Sequence, residues 1–262
     1  MRAVVIKIGL VSTMLLATTA LIAGDKDKPA GKLEPRVVDS GSFGIYFDGK
    51  RVGTETFKIE QRSDYSIATA QLKVDDGKTQ AEQTAEMQIN PNGDLRSYIW
   101  HSSLPTQEDA SVEPHDQLLM EHLSPVDQKK VDLPHILPLS TAILDDNFFS
   151  QREVLMWRYL ATACRRQNNQ LSCGPGSYGI LVPHQHAAFN ATVELKGTDK
   201  VEVKPGVQRQ LNKIVLKTVD PQRLVVMNSD KEADAEWVIW IDDQYKVIKI
   251  SIPGSHVEVI RD

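Results

Sequence analysis

Alternation of apolar and polar residues, interrupted by tight turns, is the feature of this sequence that most constrains its fold. Apolar residues alternate with other residues over positions 43–47, and an Asp-Gly pair follows at 48–49 before the alternation resumes. An Asp-Gly pair between alternating runs is a strong hairpin signal, because both central residues of a type I′ turn need positive φ. Similar pairs occur at 76–77 and 92–93. Since tight turns join antiparallel neighbours, the sequence predicts an antiparallel meander.

One segment in the middle of the chain has the pattern of a helix. Ser150 and Glu153 have the spacing of a capping box, and an apolar run without Gly or Pro follows. Its apolar residues cover most of the circumference, which is typical of a buried helix. We therefore expect a helix over residues 150–164 that packs across a sheet.

The connection over residues 103–139 is unusually rich in proline. Proline at this density argues against long strands or helices, although the stretch DQLLMEHL could form a short strand or a turn of helix. The three histidines of this connection, His115, His122 and His135, are expected to be exposed to solvent.

After the helix, the alternation of apolar and polar residues resumes and continues to the C-terminus. The expected total is about 11 to 13 strands. The sequence thus predicts a mainly β fold, with one large curved antiparallel sheet and one main helix packed against it. The curved sheet would be a half-barrel or an open barrel formed by a single domain over residues 37–262. A β-sandwich is the alternative.

The N-terminal segment has the features of a signal peptide. Arg2 and Lys7 supply positive charge, and an apolar run with several hydroxyl residues follows over residues 8–23. This run is shorter than the roughly 20 apolar residues that a membrane-spanning helix needs. We expect cleavage after Ala23, a flexible linker over residues 24–36, and a bacterial protein exported to the periplasm or the medium. An uncleaved anchor or a buried first helix is the alternative.

The two cysteines are consistent with the prediction of an exported protein. Cys164 and Cys173 are separated by a short polar segment that contains turn-forming asparagines. In an oxidising compartment such a pair closes a small disulfide loop. Free thiols and a metal site are the alternatives, although no CxxC pattern or neighbouring histidine supports a metal.

Charge and motifs exclude several classes of function. The chain has a net charge of -5 and lacks a dense basic run, which argues against nucleic-acid binding. Gly174, Gly176 and Gly179 match a dinucleotide-binding pattern, but a cysteine precedes them and strand residues follow, so we interpret the match as accidental. The sequence indicates no cofactor and no catalytic residues, and we expect a protein that is not an enzyme.

His184 and His186 are a weak candidate for metal binding. On a strand, residues two apart project from the same face, so both imidazoles could ligate a transition metal. A third ligand from another strand would be needed, and the sequence does not identify one. No metal site is therefore predicted.

The apolar interior of the curved sheet is the candidate ligand site. Large apolar side chains could fill this interior or line a cavity within it. The candidate lining residues are Phe43, Phe47, Phe57, Trp100, Met156, Trp157, Trp237 and Trp240.

Three stretches of the sequence resemble a family of uncharacterised bacterial exported proteins. They are GSFGIYFDGKRVGTETFKIEQ, ILDDNFFSQREVLMWRYL and WVIWIDDQYKVIKISIPGSHVEVIRD. The family is similar in outline to the half-barrel carriers that move lipoproteins or lipids across the periplasm. The resemblance implies a β-rich fold, and it assigns no catalytic residues.

Three functions are consistent with these observations. The first is a non-enzymatic binding module for an apolar ligand such as a lipid or an acyl chain. The second is a structural or protein-interaction domain of the cell envelope, which would use a sheet edge or the proline-rich segment. The third is a metal-dependent or hydrolytic enzyme.

Overall fold

The alternating segments form one long antiparallel sheet. The structure, a computed structural model, describes residues 34–78, 80–125, 129–145, 148–167, 170–219, 235–253 and 255–262. The predicted signal peptide and most of the predicted linker lie outside the described residues. One compact unit spans Leu33–Asp262.

Within the described residues, eight strands precede the helix in a continuous meander and a short ninth strand follows them. They are β1 (Arg36–Phe47), β2 (Lys50–Gln61), β3 (Ser66–Asp75), β4 (Gln80–Ile89), β5 (Leu95–Leu104), β6 (Glu108–His115), β7 (Leu118–Pro125), β8 (Val131–His135) and β9 (Ala142–Ile143).

The helix α1 spans Ser150–Ala163 and is followed by eight further strands. They are β10 (Cys164–Gln167), β11 (Gln170–Cys173), β12 (Gly176–Val182), β13 (Ala187–Lys204), β14 (Val207–Val219), β15 (Ala235–Ile241), β16 (Val247–Ile252) and β17 (Val257–Arg261). A single 3-10 turn, Pro183–Gln185, separates β12 from β13.

Fifteen of these strands form one sheet whose two halves meet at β1. The order is β8-β7-β6-β5-β4-β3-β2-β1-β17-β16-β15-β14-β13-β12-β9, and β10 pairs with β11 in a separate hairpin. Only the short pairing of β9 with β12 is parallel. The predicted antiparallel sheet is confirmed, and the sandwich alternative is not supported.

The sheet must curl, because its two end strands are close in sequence. Laid flat, 15 strands would span about 67 Å at about 4.8 Å per neighbouring pair. The chain passes from the end of β8 at His135 to the start of β9 at Ala142, a path of at most about 25 Å. The sheet therefore bends round into an open, barrel-like shape, as predicted.

The first hairpin has the predicted turn chemistry. Asp48 and Gly49 both adopt positive φ, at 49° and 76°. Gly77 and Gly93 also have positive φ at the next two predicted turns. The Asp-Gly and Asn-Gly pairs thus set the register of the meander.

The prediction of a mostly irregular connection over residues 103–139 was wrong for β6 and β8, whereas β7 matches the short strand that DQLLMEHL could form. This segment supplies β6, β7 and β8. Its prolines are tolerated because Pro114 and Pro125 lie at strand ends and Pro134 lies in the edge strand β8, where a missing N–H costs little.

Helix α1 packs on the concave face of the sheet. Leu155, Met156 and Tyr159 join one buried apolar cluster with side chains from both halves of the sheet, among them Phe43 of β1 and Ile214 of β14. The predicted capping box was wrong: the helix N-cap is Phe149, and no local side chain caps it. The residues that replace this cap are part of the site described next.

Candidate ligand-binding site

Four of the predicted lining residues lie together in the core. The rings of Phe43 and Phe57 stack with their centroids 5.0 Å apart. Trp100 and Met156 belong to the same buried cluster. These four side chains pack between the sheet and α1, so they fill this part of the interior.

Trp157 and Trp237 lie at the border of that cluster and are half-buried. Trp157 Nε1 donates a hydrogen bond of 2.8 Å to the carbonyl oxygen of Tyr245, in the turn between β15 and β16. The guanidinium of Arg152 stacks over the Trp237 ring at 4.0 Å. Both indoles are therefore held in place while part of their surface stays accessible.

Phe47 and Trp240 do not join the other six. Phe47 lies at the end of β1 and is 48% exposed. Trp240 lies three residues after Trp237 on one strand, so the two side chains project to opposite faces. Trp240 packs on a second, smaller cluster that contains Leu211 and Ile248.

The histidines are organised by a buried glutamate. Glu121 of β7 is fully buried, and its Oε2 lies 2.8 Å from His135 Nε2 while its Oε1 lies 3.1 Å from His186 Nδ1. His135 is thus not solvent-exposed as predicted, since its side chain is only 12% exposed. The side chain of His184 lies outside the description. Among the described residues, no group of three side chains is arranged to hold a metal ion.

The predicted disulfide is present. Cys164 and Cys173 are bonded, and they pair across the β10–β11 hairpin directly after α1. Disulfides persist in oxidising compartments, so this bond is compatible with export.

The polar groups that hold the start of α1 were not predicted from the sequence. Glu55 of β2 accepts hydrogen bonds from the backbone N–H groups of Phe149 and Ser150, at 2.6 and 3.1 Å. A carboxylate from a distant strand thus provides the N-terminal cap. Complete burial raises the pKa of Glu55 to about 7, although these hydrogen bonds lower it.

A second group of charges surrounds Glu153 in the first turn of the helix. Arg261 Nη1 lies 3.2 Å from Glu153, and Arg261 Nη2 lies 2.6 Å from Asp39. Lys246 also pairs with Asp39, at 2.8 Å. Burial, together with a hydrogen bond to Asp39, raises the pKa of Glu153 to about 9, so Glu153 carries a proton at neutral pH.

Tyr98 connects the chain before the helix to the sheet. Its hydroxyl donates a hydrogen bond of 2.8 Å to Asp145 Oδ2, and Gln151 Nε2 donates to the same hydroxyl at 3.4 Å. Burial raises the pKa of Tyr98 well above its usual value. These polar groups are almost completely buried, so their role is to fix the helix rather than to meet a substrate.

Alternation along the strand gave one usable signal for this network. Glu55 has the same strand parity as the buried Phe57 and Ile59, which places a carboxylate on the apolar face of β2. Its partners lie more than 90 residues away in the chain, which is why the sequence does not reveal them.

One side of α1 carries apolar side chains at the edge of the core. Val154, Trp157 and Leu160 are half-buried, and Ala161 is exposed. At 100° per residue these four side chains fall within about 120° of the helix circumference. We call this surface the apolar flank. Val154, Trp157 and Leu160 pack against the core cluster with part of their surface accessible, so the apolar flank extends the core to the helix surface.

A groove of about 420 Å³ lies next to the apolar flank, on the side of α1 that carries Arg158 and Thr162. Ser140, Arg158, Thr162 and Ala163 line it together with the glycine-rich segment Gly174–Gly179. The Gly-x-Gly-x-x-Gly pattern thus contributes backbone to a groove beside the helix rather than a dinucleotide-binding turn. We call this groove the Arg158 groove.

The fold is similar to a solved structure described as a beta-barrel-like protein of domain of unknown function DUF1849 from Brucella abortus. The two chains are 9% identical, and the superposition has a TM-score of 0.50 and covers 85% of this chain and 94% of that chain. At this identity the likeness concerns the fold alone.

Comparison with known families found no match for the chain, and comparison with curated proteins found none either. In the part of the chain that the structure describes, no helix has the length and apolar character required to cross a membrane.

Proposed function

We propose that this protein is a non-enzymatic binding module for an apolar ligand such as a lipid or an acyl chain. The observation that carries the proposal is the apolar flank, because it continues the core outward to the helix surface. Burying this surface against an acyl chain would gain about 25 cal/mol per Å² of apolar area. The proposal places the ligand against α1 rather than within the filled part of the interior.

The indole of Trp157 belongs to the apolar flank and supports this proposal. It donates a hydrogen bond to the carbonyl oxygen of Tyr245. Aromatic side chains offer large apolar contact area at a low cost in conformational entropy. The hydrogen bond of Trp157 holds its indole in place before a ligand arrives, which limits the ordering cost of binding.

Binding of a fluorescent acyl probe tests the proposal. We expect Leu160→Gln to weaken binding at least about tenfold, because it places a polar amide within the apolar flank. Ile99→Gln is the matched control, since Ile99 is 51% exposed on the sheet and far in sequence from the helix. Equal affinities for wild type and Leu160→Gln, or no binding by wild type, would contradict the proposal.

An envelope protein-interaction domain is the second candidate. The observation in its favour is Ile136, which is 93% exposed and directly follows the edge strand β8. A photo-crosslinking residue at Ile136 should then capture a defined envelope protein, whereas one at the exposed Phe47 should not. Crosslinking that is identical at both positions would remove this candidate.

A further inference from the structure

The Arg158 groove contains a cationic side chain whose charge is not paired within the described protein. Arg158 Nη1 donates a hydrogen bond of 2.6 Å to the carbonyl oxygen of Ser140, and its guanidinium lies 5.4 Å from the centre of the Tyr178 ring. Both contacts are with neutral groups. Within the described residues Arg158 makes no ion pair, although the chain as a whole carries a net charge of -5.

The groove holds further polar groups around this guanidinium. Thr162 Oγ1 hydrogen-bonds the hydroxyl of Tyr178 at 3.0 Å, and Ser177 lies in the glycine-rich wall. Gly176 is required there, because a side-chain carbon would lie 2.8 Å from the Tyr178 ring. The wall is thus built from close-packed backbone and hydroxyl groups, which suits a small polar group more than a bulky apolar one.

Two more arginines extend the positive charge beyond the groove. Arg165 and Arg166 are exposed on β10, two and three residues after the groove residue Ala163. In the described part of the chain neither forms an ion pair with an acidic residue. These charges add to that of Arg158 near the C-terminal end of α1, where the partial negative charge of the helix carbonyl groups offsets part of the positive potential.

Arg158 and the apolar flank are neighbours on the same helix. Arg158 follows Val154 by four residues and precedes Ala161 by three, and residues at these spacings lie side by side on a helix surface. A ligand whose charged end meets Arg158 is therefore within reach of Val154 and Ala161 on the apolar flank. Cationic and apolar surfaces thus form one continuous amphipathic surface.

We propose that the natural ligand is an anionic amphiphile, with a carboxylate or phosphate bound in the Arg158 groove and an acyl chain lying on the apolar flank. This inference rests on the proposed function and specifies its ligand class. A guanidinium suits both anions, because its planar N–H groups match their oxygen atoms. The two anions correspond to a fatty acid and to a phospholipid.

A pair of probes that differ only in charge tests the inference. Dansyl-labelled undecanoate and its uncharged methyl ester are titrated into wild-type protein, Arg158→Gln and Arg158→Lys. We expect the wild type to bind the acid at least about tenfold more tightly than the ester, as a charge-assisted hydrogen bond predicts. Arg158→Gln should abolish this difference, and Arg158→Lys should keep part of it.

Arg96→Gln is the matched control. Arg96 also stacks on a tyrosine, with its guanidinium 4.4 Å from the centre of the Tyr65 ring, but it lies on the sheet and pairs with Asp64. The control should bind both probes as the wild type does. Thermal unfolding of each variant shows whether a change in binding reflects loss of folded protein.

The outcomes separate this inference from the proposed function. Equal wild-type affinities for acid and ester, or equal effects of Arg158→Gln and Arg96→Gln, would overturn the anionic ligand and leave the apolar site in place. Failure of both probes to bind would overturn both proposals. Competition by dodecanoate or dodecyl phosphate supports the inference and identifies the anion, whereas competition by inorganic phosphate alone would overturn the requirement for an acyl chain.

Discussion

At the residue scale, burial of acidic side chains is the main departure from an ordinary β-protein core. Glu55, Asp145 and Glu153 are fully buried where α1 begins, and each has defined polar partners. Leaving such a group without partners would cost several kcal/mol, so together they specify a single position for the helix. The strand parity of Glu55 is visible in the sequence, but its partners are not, because contacts between distant residues follow from the fold.

Glu55 makes the stability of the protein depend on pH. Its pKa is raised from 4.5 to about 7 in the folded state, so the folded state binds a proton that the unfolded state releases between these values. The free energy of unfolding therefore falls as pH rises from about 4.5 to 7, by about 3 kcal/mol from this group. The raised pKa of Glu153 likewise lowers the free energy of unfolding as pH rises to about 9.

Urea unfolding at pH 5 and pH 8 measures this effect. We expect Glu55→Gln to be less stable than wild type at pH 5, because an amide cannot accept both N–H groups of the helix start, and to lose less stability on going to pH 8. Glu82→Gln is the control, since Glu82 is an exposed residue paired with Lys73. A wild-type protein that is more stable at pH 8 than at pH 5 would contradict the proposed burial of Glu55.

At the element scale, local sequence predicted those strands and turns whose signals are local. Asp48-Gly49 forms the predicted turn, and the apolar run after Ser150 forms the predicted helix. β6 and β8 were not predicted, because the number of prolines in a segment does not show where each proline lies within a strand. A proline at the end of a strand or on an edge leaves most of the ladder intact, and only the position within the sheet distinguishes these cases.

The β10–β11 hairpin is an element whose stability depends on its disulfide. Removing the bond with Cys164→Ala and Cys173→Ala should lower the free energy of unfolding by about 2.5 to 3 kcal/mol, from the entropy of the small loop it closes. Chemical denaturation of the double variant beside wild type under oxidising conditions measures the loss. Identical stabilities, or identical effects of a reducing agent on both proteins, would contradict a structural role for the bond.

At the scale of the whole molecule, the two ends of the curved sheet are joined through Glu121. His135 is the last residue of β8 at one end of the sheet. His186 follows the 3-10 turn between β12 and β13, near the other end. The fully buried carboxylate of Glu121 contacts both imidazoles. This contact limits how far the sheet can open around α1.

Replacing this carboxylate should loosen the ends of the sheet. We expect Glu121→Ala to lower the free energy of unfolding by about 3 kcal/mol, because it leaves two imidazole donors without their acceptor. Hydrogen exchange should accelerate in β7, β8 and the turn Pro183–Gln185 more than in β1 and β17. The control is His122→Ala, whose side chain is half-buried and pairs with Asp132. Uniform exchange changes, or none, would contradict the joining role of Glu121.

We propose that the open β sheet and its helix present a surface for an amphiphilic ligand. The most direct test is organic extraction of the full chain, purified without detergent, followed by mass spectrometry of the extract. We predict about one anionic acyl amphiphile per protein molecule, and its loss from Leu160→Gln but not from Ile99→Gln. Recovery of no amphiphile from wild type, or equal recovery from both variants, would contradict the claim.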